Sequence, residues 1–302
     1  MNPKSYAVMF ACGAVLALFS SQANAQTVLF DDNYNRGPSS GNLTPTFSGE
    51  SGADVGSGIT YLIPNYNVAA NSVYSGSPAA AANTNTLEVN AGTLQKQNTG
   101  QEGIWALNYN FTDAAILSAG GFSVSENITA LAANSNDPVD RFAGYGVGLS
   151  LNQVNSLADD FASNLGPRGS VGGPQATTGV SAFYVDLDVN GAVQIFTGGS
   201  LLQTVAIAGS PTAGTLETLF TGVSSFNAGQ NVNFNVLFDG NSIATGAFSL
   251  ENTGQNYIAG SMRDSTAAGG EFNVSTVPEP SVAAMIVGGL GAMGFFIRRR
   301  KI

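Results

Sequence analysis

The sequence predicts an all-β body folded as a two-sheet sandwich, and three observations carry that expectation. Apolar and polar residues alternate with period two in run after run, the pattern of strands with one face in a core. Charged residues make up only 10% of the 302 residues, and Gly, Ser, Thr, Asn and Ala fill their places, which suits turn-rich strands and not a coiled coil or helical bundle. More than ten candidate strands follow one another without an internal repeat or a domain-splitting linker, more than one small sheet would hold.

The chain opens with Lys4, an apolar run from Ala7 to Phe19, and Ala23-Asn24-Ala25. A positive start, a short greasy segment and an A-x-A site describe a secretory signal peptide over residues 1–25, with cleavage by signal peptidase after Ala25, between the small residues Ala23 and Ala25 and the new first residue Gln26. The thirteen residues of the run are too few to span a bilayer. Cys12, the single cysteine, lies inside this run, so the mature body has no thiol and no disulfide. A body of this size buries enough core without one.

The body is expected over residues 26–275. Its clearest alternations are Trp105, Leu107, Tyr109, Phe111; Tyr145, Val147, Leu149, Leu151; Phe183, Val185, Leu187, Val189; and Val232, Phe234, Val236, Phe238. Shorter candidates lie at Thr27–Phe30, Ile59–Ile63, Thr86–Asn90, Gly121–Ile128, Val193–Phe196, Leu201–Ile207, Ile243–Leu250, Tyr257–Met262 and Glu271–Ser275. Asn190-Gly191 and Asp239-Gly240 sit between pairs of these runs and tolerate the positive φ of tight hairpin turns. Leu151, Val154, Leu157 and Phe161 share one helical face, and a turn of helix is expected at Asp113–Leu117. Ser72–Asn85 and Ser163–Gly179 read as long loops, and the first and last strands are expected to pair.

After the body comes Val277-Pro278-Glu279-Pro280, then an uncharged run at 282–297, then Arg298, Arg299, Arg300 and Lys301. The two prolines stop any strand or helix from upstream and leave an extended peptide. The sixteen uncharged residues make a single transmembrane helix of about 24 Å, slightly under the hydrocarbon thickness, so thinning or snorkelling of the arginines helps it span. The basic cluster stays on the cytoplasmic side. Gly288, Gly289, Gly291 and Gly294 give the helix one small flank on which another helix can pack.

Composition removes several functions. The chain has no histidine, which excludes Ser-His and Cys-His nucleophile systems and His-bearing zinc sites. From Gln26 to Val277 five basic residues face nineteen acidic ones, a formal charge of −14, which disfavours nucleic acid and anionic lipid as partners. Asp31-Asp32 and Asp159-Asp160 are acidic pairs whose neighbouring side chains diverge, so neither is a catalytic carboxyl pair.

Two patterns point to binding. Tyr184, Asp186 and Asp188 alternate with the core set and are expected on the opposite, solvent-facing side of their strand, an aromatic platform beside acceptors as sugar sites use. The alternative is an ordinary polar face. Asp186-Leu187-Asp188-Val189-Asn190-Gly191 matches the start of a calcium loop, with Asp186, Asp188 and Asn190 as metal candidates. Against that, the twelfth position is Thr197 where such a loop needs Glu, and the alternative is a strand entering a hairpin. Trp105 alternates with core residues and is read as core.

The tail resembles the PEP-CTERM sorting signal of Gram-negative bacteria in its Pro278-Glu279-Pro280 box, its glycine-rich apolar segment and its terminal arginines, over residues 276–302. That resemblance implies export across the inner membrane, transient anchoring by the tail, cutting near the box by an exosortase, and delivery to the cell surface or extracellular polymer. The other reading of the same residues is a single-span anchor that is never cut. The body resembles the concanavalin A-like (laminin-G, lectin and glucanase) jelly rolls in its strand–turn order, its opening Phe30-Asp31-Asp32-Asn33-Tyr34-Asn35-Arg36 and its close Glu271-Phe272-Asn273-Val274-Ser275. This implies a polysaccharide-binding module and leaves calcium as an optional ligand, with no other cofactor. The glucanase relatives carry a Glu-x-Asp-x-x-Glu strand, absent from this sequence, so no enzymatic activity is expected. A glycan-cleaving enzyme with other carboxyls and a purely structural or adhesive matrix protein are the alternatives.

Overall fold

The computed structural model describes residues 26–34, 56, 58–62, 87–90, 92–96, 102–131, 142–156, 181–263 and 268–277. Residues 1–25 and 278–302 lie outside this set, and with them Ala23, Ala25, Pro278, Glu279, Pro280, Arg298, Arg299 and Arg300. The expected loops at 72–85 and 163–179 lie outside it too. Among the described residues no helix is long and apolar enough to cross a membrane.

The strands are β1 (Val28–Asp32), β2 (Tyr61–Leu62), β3 (Leu87–Asn90), β4 (Thr93–Lys96), β5 (Glu102–Leu107), β6 (Gly121–Ala130), β7 (Phe142–Leu149), β8 (Phe183–Asp188), β9 (Ala192–Thr197), β10 (Ser200–Ala206), β11 (Gly214–Thr221), β12 (Asn231–Phe238), β13 (Asn241–Ser249), β14 (Tyr257–Arg263) and β15 (Ala268–Thr276). They form two antiparallel sheets. The first runs β13-β12-β11-β6-β15-β4-β3, with β1 also paired to β15, and the second runs β10-β9-β8-β7-β14-β5-β2. The two-sheet, mostly-β expectation is met.

Alternation decides which side chains meet between the sheets. Phe122, Val124 and Ile128 of β6, Leu216 and Phe220 of β11, and Phe272 and Val274 of β15 face Trp105, Tyr145, Phe183 and Val185 of the second sheet in one buried cluster. Trp105 packs edge-on against Phe272 with centroids 4.6 Å apart, and Phe183 sits 5.2 Å from Phe220. Gly260 makes the first contact feasible, because a Cβ there would collide with the indole. Tyr145 ties the sheets together. Its hydroxyl donates to the Val124 carbonyl at 2.8 Å and lies 3.0 Å from Thr218 Oγ1.

Both hairpins form, with different turns. Asp239 and Gly240 have φ of 48° and 74°, the paired positive values of a two-residue I′ turn. At the other hairpin only Gly191 is positive, at 74°. There the Gly191 N–H donates to the Asp188 carbonyl at 3.0 Å, so the loop is a three-residue one ending in a glycine bulge. The two helices are short: α1 (Ala114–Ala119) starts one residue later than expected, and α2 (Leu151–Ser156) covers the first half of the expected helical face. The run from Trp105 leaves its sheet after Leu107, yet Phe111 stays fully buried.

The first and last strands pair as expected, with Phe30 opposite Val274 and Asp32 opposite Phe272. β15 is nonetheless a central strand, bonded to β6 on one side and to β1 and β4 on the other. It runs to Thr276, and Val277 is buried behind it, so the folded unit extends two residues beyond the expected boundary at 275.

Candidate functional site

Tyr184, Asp186 and Asp188 do share one face of β8, as their spacing requires, and it is the face away from the inter-sheet core. That face is not open. Tyr184 and Asp186 are 0% exposed and Asp188 5%, which corrects the expectation that they face solvent. The neighbouring strand explains how they lie. β7 presents Gly146 opposite Tyr184 and Gly144 opposite Asp186. A Cβ on Gly146 would crowd the Tyr184 ring, and one on Gly144 would run into Asp186. The glycines form a floor across which Tyr184 reaches β14, where its hydroxyl sits 2.9 Å from Ser261 Oγ. Phe142 and Phe196 complete a small aromatic cluster with Tyr184. The sequence did not single out Phe142, Phe196, Ser261 or Gln194. Only the pairing register, with Gln194 opposite Asp186, brings them to the same patch.

Asp188 holds the turn. Its Oδ1 accepts from the Asn190 N–H at 2.7 Å and the Ala192 N–H at 3.1 Å, and Gln194 Nε2 reaches Oδ2 at 3.4 Å. Asn190 itself is exposed at the tip. These residues do not fit a calcium loop: the Asp188 carboxylate is committed to backbone donors, Asp186 lies on a strand, and Thr197 ends β9. Among the described residues, no three Asp, Glu, Cys or His side chains converge as a metal site. Asp31 and Asp32 point apart. Asp32 is buried, accepting from Tyr61 Oη at 2.7 Å and the Tyr34 N–H at 2.8 Å, whereas Asp31 accepts from Asn273 Nδ2 at 3.3 Å on the outer face. Burial, with Tyr34 and Asp32 alongside, pushes the Tyr61 phenol well above its ordinary value.

The open polar face belongs to the other sheet. β12 has the burial rhythm of a strand with one wet side, exposing Asn231 and Asn233 and half-exposing Asn235 while Val232, Phe234 and Val236 point inward. Ser249 and Ser242 of β13 donate to the Asn231 and Asn235 side-chain carbonyls at 2.9 and 2.6 Å. Those bonds orient the amides and leave their N–H groups toward solvent. Beside them in register β11 sets half-buried Leu219 opposite Asn235 and exposed Thr221 opposite Asn233, while Glu217 lies opposite Leu237 and, on its other side, opposite Ser125 of β6. Burial raises the Glu217 carboxyl above its ordinary value. The surface mixes amides, hydroxyls and a carboxyl with the outward Leu219 and Leu237, so it has hydrogen-bonding capacity for a polyhydroxylated chain but no aromatic platform.

The inner side of the same sheet holds an unexpected acid. Glu126 lies between Leu216 and Phe272 in register and is 2% exposed. Among the described residues, Glu126 Oε2 and Trp105 Nε1 have no hydrogen-bond partner. Burial pushes the Glu126 carboxyl up to about 8, so it is mostly protonated at neutral pH.

The two ends of the described body meet at the end of the central strand β15. Gln26 Nε2 donates to Ser275 Oγ at 2.7 Å, and the Thr27 N–H donates to Thr276 Oγ1 at 2.9 Å. In return the Thr276 N–H donates to the Thr27 carbonyl at 2.9 Å, and the Val277 N–H to the Gly121 carbonyl at 3.2 Å.

No curated protein sequence matches the chain. Among solved structures, the metal-free carbohydrate recognition domain of Emp46p superposes with a TM-score of 0.38 at 7% identity, covering 63% of this chain and 83% of that one. The legume lectin-like domain from Entamoeba histolytica gives 0.36 at 8% identity over 61% and 83%. The exoplasmic domain of VIP36, in a form bound to Ca2+ and Man3GlcNAc, gives 0.38 at 8% identity over 63% and 80%. Residues 276–301 match the PEP-CTERM protein-sorting motif, and this protein therefore carries that motif from the final residue of its last strand onward.

Proposed function

We propose that this is an exported surface or extracellular-matrix protein, released from its membrane tail by an exosortase, whose sandwich binds polysaccharide without cutting it. The observation that carries the reading is the sorting motif at 276–301, joined to a strand-built body that needs no disulfide outside the cytoplasm. The amide and hydroxyl ladder centred on Asn231, Asn233 and Asn235 supports the second half. Planar amides with free N–H groups match sugar hydroxyls, and without aromatic stacking each site binds weakly, which suits display in many copies on a surface. Tyr184, Asp186 and Asp188 serve the sandwich as buried structure in this reading, and the ligand surface lies on the opposite sheet. The lack of a Glu-x-Asp-x-x-Glu strand and the divergence of Asp31 from Asp32 favour binding over hydrolysis.

The test is retention of the protein recovered from cells on immobilised extracellular polysaccharides, with and without calcium. Binding that N231A/N233A/N235A abolishes supports the reading. Binding that survives the triple change moves the site elsewhere, and no retention on any glycan leaves a structural matrix protein.

A further inference from the structure

We propose that β10 is a dimerisation edge, along which two copies of this chain pair strand to strand, antiparallel, about a two-fold axis. Among the described residues β10 is the last strand of its sheet, and its residues 200–204 and 206 are exposed. Leu201 and Leu202, 46% and 53% exposed, are the barest large apolar side chains among the described residues. An unpaired strand edge is ordinarily guarded by Lys, by Pro or by an inward charge. β10 reads Ser200-Leu201-Leu202-Gln203-Thr204-Val205-Ala206 and has none of these; its one irregularity is the bulge at Leu202.

The backbone is set to take a partner. The Ile207 N–H donates to the Gly191 carbonyl at 2.9 Å, and Val205 and Gln203 follow at intervals of two, opposite Val193 and Ile195. An antiparallel strand turns successive residues to opposite sides, so the N–H and C=O groups of Thr204 and Ala206 point away from β9, to the open edge. Pairing Thr204 of one copy with Ala206 of the other satisfies both sets, and each Val205 then lies on the axis opposite its counterpart. The side chains of Thr204 and Ala206 are small, and Val205 and Ile207 stay packed on the core. In this order Leu201 and Leu202 of one copy reach Ala208 and Gly209 of the other, which are exposed and uncharged. The joint merges two seven-stranded sheets into one.

Charge selects a second copy as the occupant. The body carries a formal −14, so two copies repel except where they meet through neutral surface, whereas a cationic partner would favour the acidic faces. Residues 189–216, which hold β9, β10 and the connection to β11, carry no charge. Glu251 lies near the Gly198 turn at one end of this hairpin. The antiparallel order sets the two Glu251 side chains at opposite ends of the joint, and a strand that pairs with itself gives a closed dimer and no fibre.

Sedimentation of the protein recovered from cells, over a range of concentrations, tests this. The wild type should run as a dimer that dissociates on dilution, with the Thr204 and Ala206 amides slow to exchange hydrogen in the dimer and fast in the monomer. T204P removes an outward N–H without touching a bond to β9 and should weaken the dimer about tenfold or more, whereas T204V keeps the N–H and should not. Should T204P lower the unfolding midpoint, L201E/L202E, which adds like charge at exposed positions, should give the same loss of dimer. A wild type that stays monomeric overturns the proposal. So do amides that exchange equally fast in dimer and monomer, and a dimer that survives both changes, since its contact then lies on another face or in the tail.

Discussion

Glu126 sits where its neighbours Val124 and Ile128 are core residues, and it makes the stability of the body depend on pH. Its folded-state value of about 8 lies above the ordinary 4.5, so between these values the native state holds a proton that the unfolded chain has lost. Native stability from this group is complete below about 4.5 and declines as pH rises toward 8. Glu126→Gln should therefore match the wild type near pH 4.5 and exceed it by roughly 3 kcal/mol at pH 7, read from urea unfolding at both pH values. Equal pH slopes for the two proteins would refute the burial argument. Asp188 is the opposite case, an acid whose use is local geometry. Asp188→Ala removes the acceptor for two turn N–H groups and should cost about 1–3 kcal/mol in thermal or urea unfolding. Trp105, the sole tryptophan, reports on the core directly. Gly260→Ala forces a methyl into its ring and should destabilise by about 1–3 kcal/mol with a shift in tryptophan emission, whereas unchanged emission and stability would mean the indole does not rest on Gly260.

At the scale of elements, sequence pattern located most strands because period two survives wherever one side faces water. β12 has that rhythm and was legible with the Asp239-Gly240 turn that follows it, while β13 buries only Ala244 and Phe248. β11 was not legible. Its inward positions are Leu216, Thr218 and Phe220, and Leu219 points outward, so a polar residue occupies the core side and an apolar one the outer side. Thr218 is tolerated inside because Tyr145 lies 3.0 Å away. The same limit explains the candidate site. Alternation placed Tyr184, Asp186 and Asp188 on one face correctly, but it cannot say whether a face is covered, and β7 and β8 are buried on both. The polar ladder on β12 was present in the sequence as Asn231, Asn233 and Asn235, yet nothing in one strand distinguishes a ligand surface from any wet face. N231A/N233A/N235A changes only outward positions and should leave the unfolding midpoint close to wild type while removing polysaccharide retention.

For the whole molecule, the order of the chain and the order of the sheet are at odds in a useful way. The last strand is central, and the first residues of the body close over its end through Gln26 and Thr27. The sandwich therefore completes its core only when the residues just ahead of the tail are available. A chain ending at residue 270 loses Phe272 and Val274 and should fail to give a cooperative unfolding transition, while one ending at Val277 should give it. The C-terminal tail was the most legible part of the sequence as an address, matching the sorting motif over 276–301, yet no motif announces that Thr276 and Val277 belong to the fold. Under the proposed sorting the tail carries the body out of the cell, and intact-mass analysis of fractionated cells decides it. The spectrum should show an extracellular or surface species that begins at Gln26 and lacks the apolar run at 282–297. A species retained in the cytosol, or one held in the inner membrane with its tail complete, would contradict it.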